Sequence, residues 1–291
     1  MHQISGFGRS AVISDLGAEL QSLRGGTGQE LLWQGDPRWW SGRSPVLFPI
    51  VGRAEGDRLT LAGQDISLPQ HGLARRQTFR MTEKSACHVV HELTASAETL
   101  AFYPRHFRLR LEHRLTGTGL SLQAEVLNTD PSPLPFGLGF HPAFQWPLPG
   151  SDGAPHRLSL ANGAEPLRSQ LQGGLLLREK TRSPFVKGQL ALSPDLFAED
   201  ALVFTEGAGE ALSYGPPKGP QIRFRFENLP FIAVWSKPGA AFVCIEPWHG
   251  AAAFSGAGPA IEDRPGTIVL APGAVARFAV HIDLQDFDAD A

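Results

Sequence analysis

Phe107-Arg108-Leu109-Arg110-Leu111-Glu112-His113-Arg114-Leu115-Thr116-Gly117-Thr118-Gly119-Leu120-Ser121-Leu122-Gln123-Ala124-Glu125-Val126 is the stretch that decides the fold. Phe107, Leu109, Leu111, His113 and Leu115 share one parity, with arginines and Glu112 on the other. Beyond the turn signal Gly117-Thr118-Gly119, Leu120, Leu122, Ala124 and Val126 alternate with Ser121, Gln123 and Glu125. A side-chain period of two marks a half-buried strand. Two such strands joined by a short glycine turn predict an antiparallel hairpin. The same period returns at Ile222, Phe224 and Phe226 against Arg223 and Arg225, and again at Ala276, Phe278, Val280 and Ile282. The 32 glycines and 24 prolines are spread throughout and leave little room for long helices. The prediction is an all-β protein, a large antiparallel β-sandwich.

No fixed-period repeat or low-complexity linker divides the chain. The Pro- and Gly-rich stretch from Pro147 to Pro155 has strand-like sequence on both sides, so it reads as a loop inside one domain covering residues 1–291. The acidic tail from Asp283 to Ala291 is expected to fray. An apolar fraction of 42% is ample for a core, and 19% charged residues with a net charge of -3 give no electrostatic footprint for nucleic acid. Two cysteines, Cys87 and Cys244, make no disulfide framework and fit a reducing compartment. Residues Met1 to Ser10 lack a signal-peptide core, and no apolar run approaches the roughly 20 residues that span a bilayer. A soluble, cytoplasmic protein without a membrane partner is expected.

Four segments carry chemistry. Ser44-Pro45-Val46-Leu47-Phe48-Pro49-Ile50-Val51-Gly52-Arg53 is an apolar run ending in a lone guanidinium, and Pro49 points to an edge or bulge. Leu68-Pro69-Gln70-His71-Gly72-Leu73-Ala74-Arg75 holds an imidazole on a turn. In Leu134-Pro135-Phe136-Gly137-Leu138-Gly139-Phe140-His141-Pro142-Ala143-Phe144, the residues Phe136, Leu138 and Phe140 alternate with Gly137, Gly139 and His141. The glycines leave room either for a ligand near the backbone or for tight sheet packing. Phe242-Val243-Cys244-Ile245-Glu246-Pro247-Trp248 places a carboxylate at the end of an apolar strand, a costly position unless it is paired or faces a cleft. Desolvation there raises its pKa toward the range of a general base. Trp248 either offers a flat face to a sugar or packs in the core.

Taken singly these segments are short. In this order, with Leu16-Gly17-Ala18-Glu19-Leu20 and Glu30-Leu31-Leu32-Trp33 before them and Leu270-Ala271-Pro272-Gly273 after, the chain resembles the aldose 1-epimerase (galactose mutarotase) family along nearly its whole length. It is most similar to the shorter, LacX-like bacterial branch. The resemblance implies a β-sandwich that interconverts the α and β anomers of a hexose by ring opening and closure. It implies Glu246 as catalytic base, His141 as general acid, His71 and Arg53 as sugar-binding residues, and Asp200 as a partner of sugar hydroxyls. The implied partner is a small-molecule carbohydrate. No electrons move in the reaction, so no cofactor and no metal is expected. The chain departs from the family at Leu73, where many members carry Phe, and at His249, where another residue, often aromatic, is usual; both bear on substrate preference.

Competing readings are weaker. Gly6-Phe7-Gly8-Arg9-Ser10-Ala11 shares the letters of a dinucleotide fingerprint, but no βαβ pattern surrounds it, so a turn is expected. His88 and His91 fall on opposite faces of a strand with no Cys or carboxylate cluster to complete a metal site, and read as ordinary strand residues. A cupin-like metal enzyme would need His-x-His with a downstream Glu. A non-catalytic sugar-binding module has no use for an acid–base pair. A phosphohexose 1-epimerase is the nearest rival, through Arg75, Arg76, Arg223 and Arg225 as a basic rim. Without a phosphate-cradling loop, a free aldose is the expected substrate.

Overall fold

The hairpin forms as read: Phe107–Leu115 pairs antiparallel with Gly119–Asn128, Leu120 opposite Leu115 and Asn128 opposite Phe107. In the computed structural model, which describes residues 1–151 and 153–288, it lies within a nine-stranded sheet. From edge to edge this sheet runs Gln189–Ala191, Arg157–Leu160, Ala211–Gly215, Ile222–Glu227, Val275–Asp283, Gly119–Asn128, Phe107–Leu115, His88–Thr94 and Arg80–Lys84. The two other alternating runs are therefore neighbours in its centre. Phe224, Phe226, Phe278 and Val280 are buried on one side, while Arg223 and Arg225 stand in solvent on the other.

A second antiparallel sheet carries Leu175–Thr181, Arg168–Gln172, Leu202–Phe204, Phe231–Trp235, Phe242–His249, Leu138–Phe140 and Val46–Leu47 in that order, with Ala143–Gln145 also paired to Phe242–His249. Phe144 from this sheet meets Phe224 from the first with ring centroids 5.2 Å apart. One cluster of buried apolar side chains between the sheets takes in residues from Ile4 to Phe287. Each large side chain buried there contributes about 1.5–3 kcal/mol. A three-stranded sheet of His2–Gly6, Arg9–Ile13 and Leu20–Arg24 adds Ile4, Ala11, Ile13 and Leu20 to the same cluster. The fingerprint-like letters at Gly6 to Ala11 are its hairpin turn, with Phe7 and Gly8 at φ 55° and 74°. The one α-helix among the described residues is Ala97–Phe102, capped by Ser96.

Two local expectations need correction. The run from Leu134 to Phe140 is not one strand: it breaks at Gly137 into Leu134–Phe136, paired with Ile268–Leu270, and Leu138–Phe140, held between Phe242–His249 and Val46–Leu47. The Gly137 N–H turns aside to the Pro49 carbonyl at 2.7 Å, which takes it out of the ladder. The acidic tail is anchored as far as it is described. Asp283 ends a strand, Phe287 is buried, and Asp288 pairs with Arg9; residues 289–291 lie outside the described residues.

Candidate active site

The strand Phe242–His249 is buried on both faces, and that double burial makes the site. Val243 and Ile245 point into the inter-sheet core, whereas Cys244, Glu246 and Trp248 occupy the other parity and belong to the opposite face. On that face Glu246 and Trp248 line a cleft of about 360 Å³ together with His71, His141, Gln70, Arg75, Asp200, Trp40 and Trp235. The volume sits at the small end of ligand pockets, which suits a monosaccharide.

His141 follows the strand Leu138–Phe140 and is held by its N–H on the Pro45 carbonyl at 3.1 Å. Its Nε2 lies 3.1 Å from Oε2 of Glu246. Glu246 is 1% exposed and His141 7%. Burial drives the Glu246 carboxyl well above its usual range, and the Asp200 charge adds to that. Burial likewise pulls the His141 imidazole down, to about 3, with the Arg75 charge acting in the same direction. Each group disfavours its own ion, so the pair holds one proton between carboxylate and imidazole across a wide pH span. The two groups are in direct contact.

His71 sits at φ 67°, a left-handed conformation that a non-glycine residue adopts only where its surroundings fix it. Gly72 beside it lies so close to Phe48 that a Cβ would come 2.3 Å from the Phe48 carbonyl oxygen. The Gly52 N–H donates to His71 Nδ1 at 3.1 Å. The remaining proton of the neutral ring is thus on Nε2, 3.3 Å from the Gln70 side-chain amide, which accepts it with its oxygen turned to the ring. Burial keeps His71 neutral by pushing its pKa well below the usual value. A buried arginine holds this corner together: Arg264 donates to the carbonyls of Val51 (2.7 Å), Ala251 (2.9 Å) and Arg53 (3.1 Å).

Of the residues singled out from sequence, His71, His141, Glu246, Trp248 and Asp200 share the cleft, Asp200 at φ 110° on its exposed side. Arg53 does not line it. Its guanidinium pairs with Asp57 at 3.0 Å, and its Cβ and Cδ lie against Gly174. Arg75 is the arginine that lines the cleft, while Arg223 and Arg225 pair with Asp286 and Glu227 elsewhere. The room left at Gly139 belongs to Trp248, whose Cδ1 would sit 2.5 Å from an added Cβ, so the glycine serves packing of the pocket wall. Leu73 is buried in the inter-sheet core, and His249 turns its Nδ1 to the Asn228 carbonyl. Neither departure from the family lines the cleft.

The sequence reading missed the aromatic wall. Trp40 stacks on His141 with ring centroids 5.0 Å apart, and Trp235 meets the same ring edge-on at 6.0 Å. A Trp39-Trp40 pair in the otherwise polar segment Asp36 to Ser41 was the available signal. Cys244 was also passed over as a site neighbour: its Sγ, His141 and Glu246 bring three donor atoms within 4.8 Å of one another. Burial raises the Cys244 thiol well above its usual value, with the Glu246 charge adding, so the sulfur is held protonated.

A sequence model described as aldose 1-epimerase matches residues 2–283. The chain belongs to the aldose 1-epimerase family. It is similar to the chromosomal protein LacX of Lactococcus lactis subsp. lactis, 30% identical over 271 residues that cover 88% of this chain and 90% of that one. Among solved structures it resembles a galactose mutarotase related enzyme from Lactobacillus acidophilus, at 30% identity and TM-score 0.93, covering 99% of this chain and 98% of that one. A galactose mutarotase-like protein from Lactobacillus casei superposes with TM-score 0.90 at 28% identity, covering 98% of this chain and 99% of that one. The antiparallel sandwich read from the alternating strands is the fold of these proteins.

Proposed function

We propose that this family member is an active aldose 1-epimerase that interconverts the anomers of a free hexose, with the chain working as one sandwich unit. The observation that carries the reading is the buried His141–Glu246 contact of 3.1 Å inside a cleft of sugar size. Anomer exchange removes a proton from the C1 hydroxyl and delivers one to the ring oxygen as the C1–O5 bond breaks. A pair that holds one proton supplies both steps with no net exchange with water. In the tautomer of the pair that carries the shared proton on His141, Glu246 accepts the hydroxyl proton, His141 gives its proton to O5, and the open aldehyde rotates about C1–C2. Closure on the other face of C1 returns both protons with the roles reversed.

The remaining assignments follow from chemistry at the cleft. His71, with its proton on Nε2, donates to a sugar oxygen, and Asp200 accepts from hydroxyls. Trp248 offers its ring to the pyranose face, and Arg53 acts from the rim, where it is tied to Asp57. The free hexose is favoured over a sugar phosphate because Arg75 is the only arginine or lysine among the lining residues and already donates to the Gln70 carbonyl at 2.9 Å. A dianionic phosphate ordinarily calls for several cations or a helix N-terminus. The unpaired Cys87 and Cys244 suit a reducing, cytoplasmic setting. Polarimetry on freshly dissolved α-glucose and α-galactose, beside glucose 6-phosphate, tests the proposal. Catalysed rotation change on a free sugar is expected. No acceleration on any aldose would refute the activity, and a strong preference for the phosphate would refute the substrate class.

A further inference from the structure

A second cluster of ligating side chains lies away from the cleft, and none of its members lines it. His91 was set aside in the sequence because no carboxylate completes a site around it. The fold supplies one. His91 sits on the strand His88–Thr94 of the nine-stranded sheet, and the N-terminal hairpin brings His2 and Asp15 to it. His2 Nε2 is 2.7 Å from Asp15 Oδ1, and His91 Nε2 is 3.3 Å from the same oxygen. The two rings stand 5.3 Å apart, centroid to centroid. One donor atom from each residue falls within 4.8 Å of the others.

The decisive residue is His91. It is fully buried, yet neither ring nitrogen has a hydrogen-bond partner; the 3.3 Å approach to Asp15 lacks hydrogen-bond alignment. A buried polar group left in this way is costly, because it has given up water without gaining a partner. An ion pair between His2 and Asp15 alone would explain those two residues and leave the third unexplained. We propose that His2, Asp15 and His91 form a binding site for a divalent first-row transition metal, zinc being the probe, which clips the N-terminal hairpin to the nine-stranded sheet. A tetrahedral zinc with bonds of about 2.0–2.1 Å sets its donor atoms about 3.3 Å apart. Small adjustments of the three side chains meet that requirement.

The ligand types agree with the metal class. Two imidazoles and one carboxylate suit zinc, nickel, copper or iron better than calcium or magnesium. Water completes the coordination, because the Asp15 side chain is 37% exposed. The charged and titratable groups facing the site are the Met1 ammonium, 3.3 Å from Asp15 Oδ2, and His113, which interacts electrostatically with His91. Burial lowers the His91 pKa, and the Asp15 charge opposes that only in part, so the ring is neutral and able to ligate at neutral pH. Against the upward pull of burial, the His2 ring and the terminal ammonium hold Asp15 below the usual carboxylate range, hence ionised.

The test uses the full chain with no affinity tag. Titration with Zn²⁺ by calorimetry, and with Co²⁺ followed by its visible absorption, should give one equivalent bound with a rise in thermal midpoint. His2→Ala and Asp15→Ala, both at the surface, should each weaken binding by roughly ten-fold or more, since even outer-shell changes cost 10–100-fold. His91→Phe should abolish it, and the two surface variants keep the test valid if that buried change fails to fold. Cys244→Ala, which removes the other trio of donors, should leave the stoichiometry and affinity unchanged. No saturable binding at micromolar metal overturns the site. So does binding that survives in His2→Ala and Asp15→Ala, or binding lost in Cys244→Ala. None of these readouts depends on epimerase activity.

Discussion

Replacing Glu246 by Gln separates the chemistry of the pair from its packing. Gln has the same shape, and across the 3.1 Å contact its amide still hydrogen-bonds His141 Nε2. What disappears is the group that takes the C1 hydroxyl proton. A general base contributes about 10²–10⁴-fold, so kcat/KM for mutarotation should fall by that factor, which is about 2.7–5.5 kcal/mol of barrier. The stability change has the opposite sign. Burial raises the folded pKa of Glu246, so any stability linked to its protonation is present below the unfolded value near 4.5 and is lost as pH rises toward the raised one. Gln carries no such penalty. The variant should therefore melt no lower than wild type at pH 8 while being nearly inactive, the trade expected of a strained functional group. Polarimetry and thermal denaturation on the same preparation check both halves. The wild-type pH profile adds a third reading, because the singly protonated pair persists from the His141 value of about 3 up to the raised Glu246 value. Activity should be flat through the ordinary histidine range. Near-normal kcat/KM in the Gln variant, or a wild-type profile that breaks near 6.5, would refute the pairing argument.

Other perturbations reach the site from different directions. Trp40→Ala removes the ring stacked on His141; an aromatic stack is worth about 0.5–1.5 kcal/mol, so kcat/KM should drop roughly 2–12-fold by polarimetry, with Trp40→Phe recovering most of it. Gly139→Ala drives a methyl to 2.5 Å from Trp248; overpacking of this kind costs about 1–3 kcal/mol, visible as a lower urea midpoint together with reduced turnover as the pocket wall shifts. His113 is buried, with its pKa lowered to about 3 mainly by that burial, so the unfolded chain binds its proton as pH falls through 6.5 and the folded protein does not. Between pH 8 and pH 5 this linkage removes about 2 kcal/mol of stability. His113→Leu should lose less stability than wild type over that interval by about this amount, and parallel curves would refute the assignment.

The parts of this protein that were legible in its sequence are those where one face of an element is wet. Phe107–Leu115 alternates buried with half-buried residues along its whole length, so its pattern reports its orientation directly. The strand Phe242–His249, which carries Glu246, has no such contrast: seven of its eight residues are buried, one parity in the core and the other on the opposite face, where Glu246 and Trp248 reach the cleft. Its apolar letters announce burial without saying against what, and only the cost of a carboxylate at 246 betrays the second face. Trp40, His71 and Asp200 reach the cleft from the loop Asp36 to Ser41 and from two turns, places where side-chain direction is set by distant packing, and at His71 and Asp200 by left-handed backbone, rather than by any periodicity. Hence the enclosure of His141 by Trp40 and Trp235 could not be read before the fold, although the Trp39-Trp40 pair hinted at it, and neither could the pairing of Arg53 with Asp57. The same reasoning accounts for His91. Spacing along one strand argued correctly that His88 and His91 part company, yet Asp15 and His2 reach His91 through hairpin packing that strand periodicity does not encode. A short-range pattern can thus exclude a site built within one strand, and it carries no information about a site assembled between sheets.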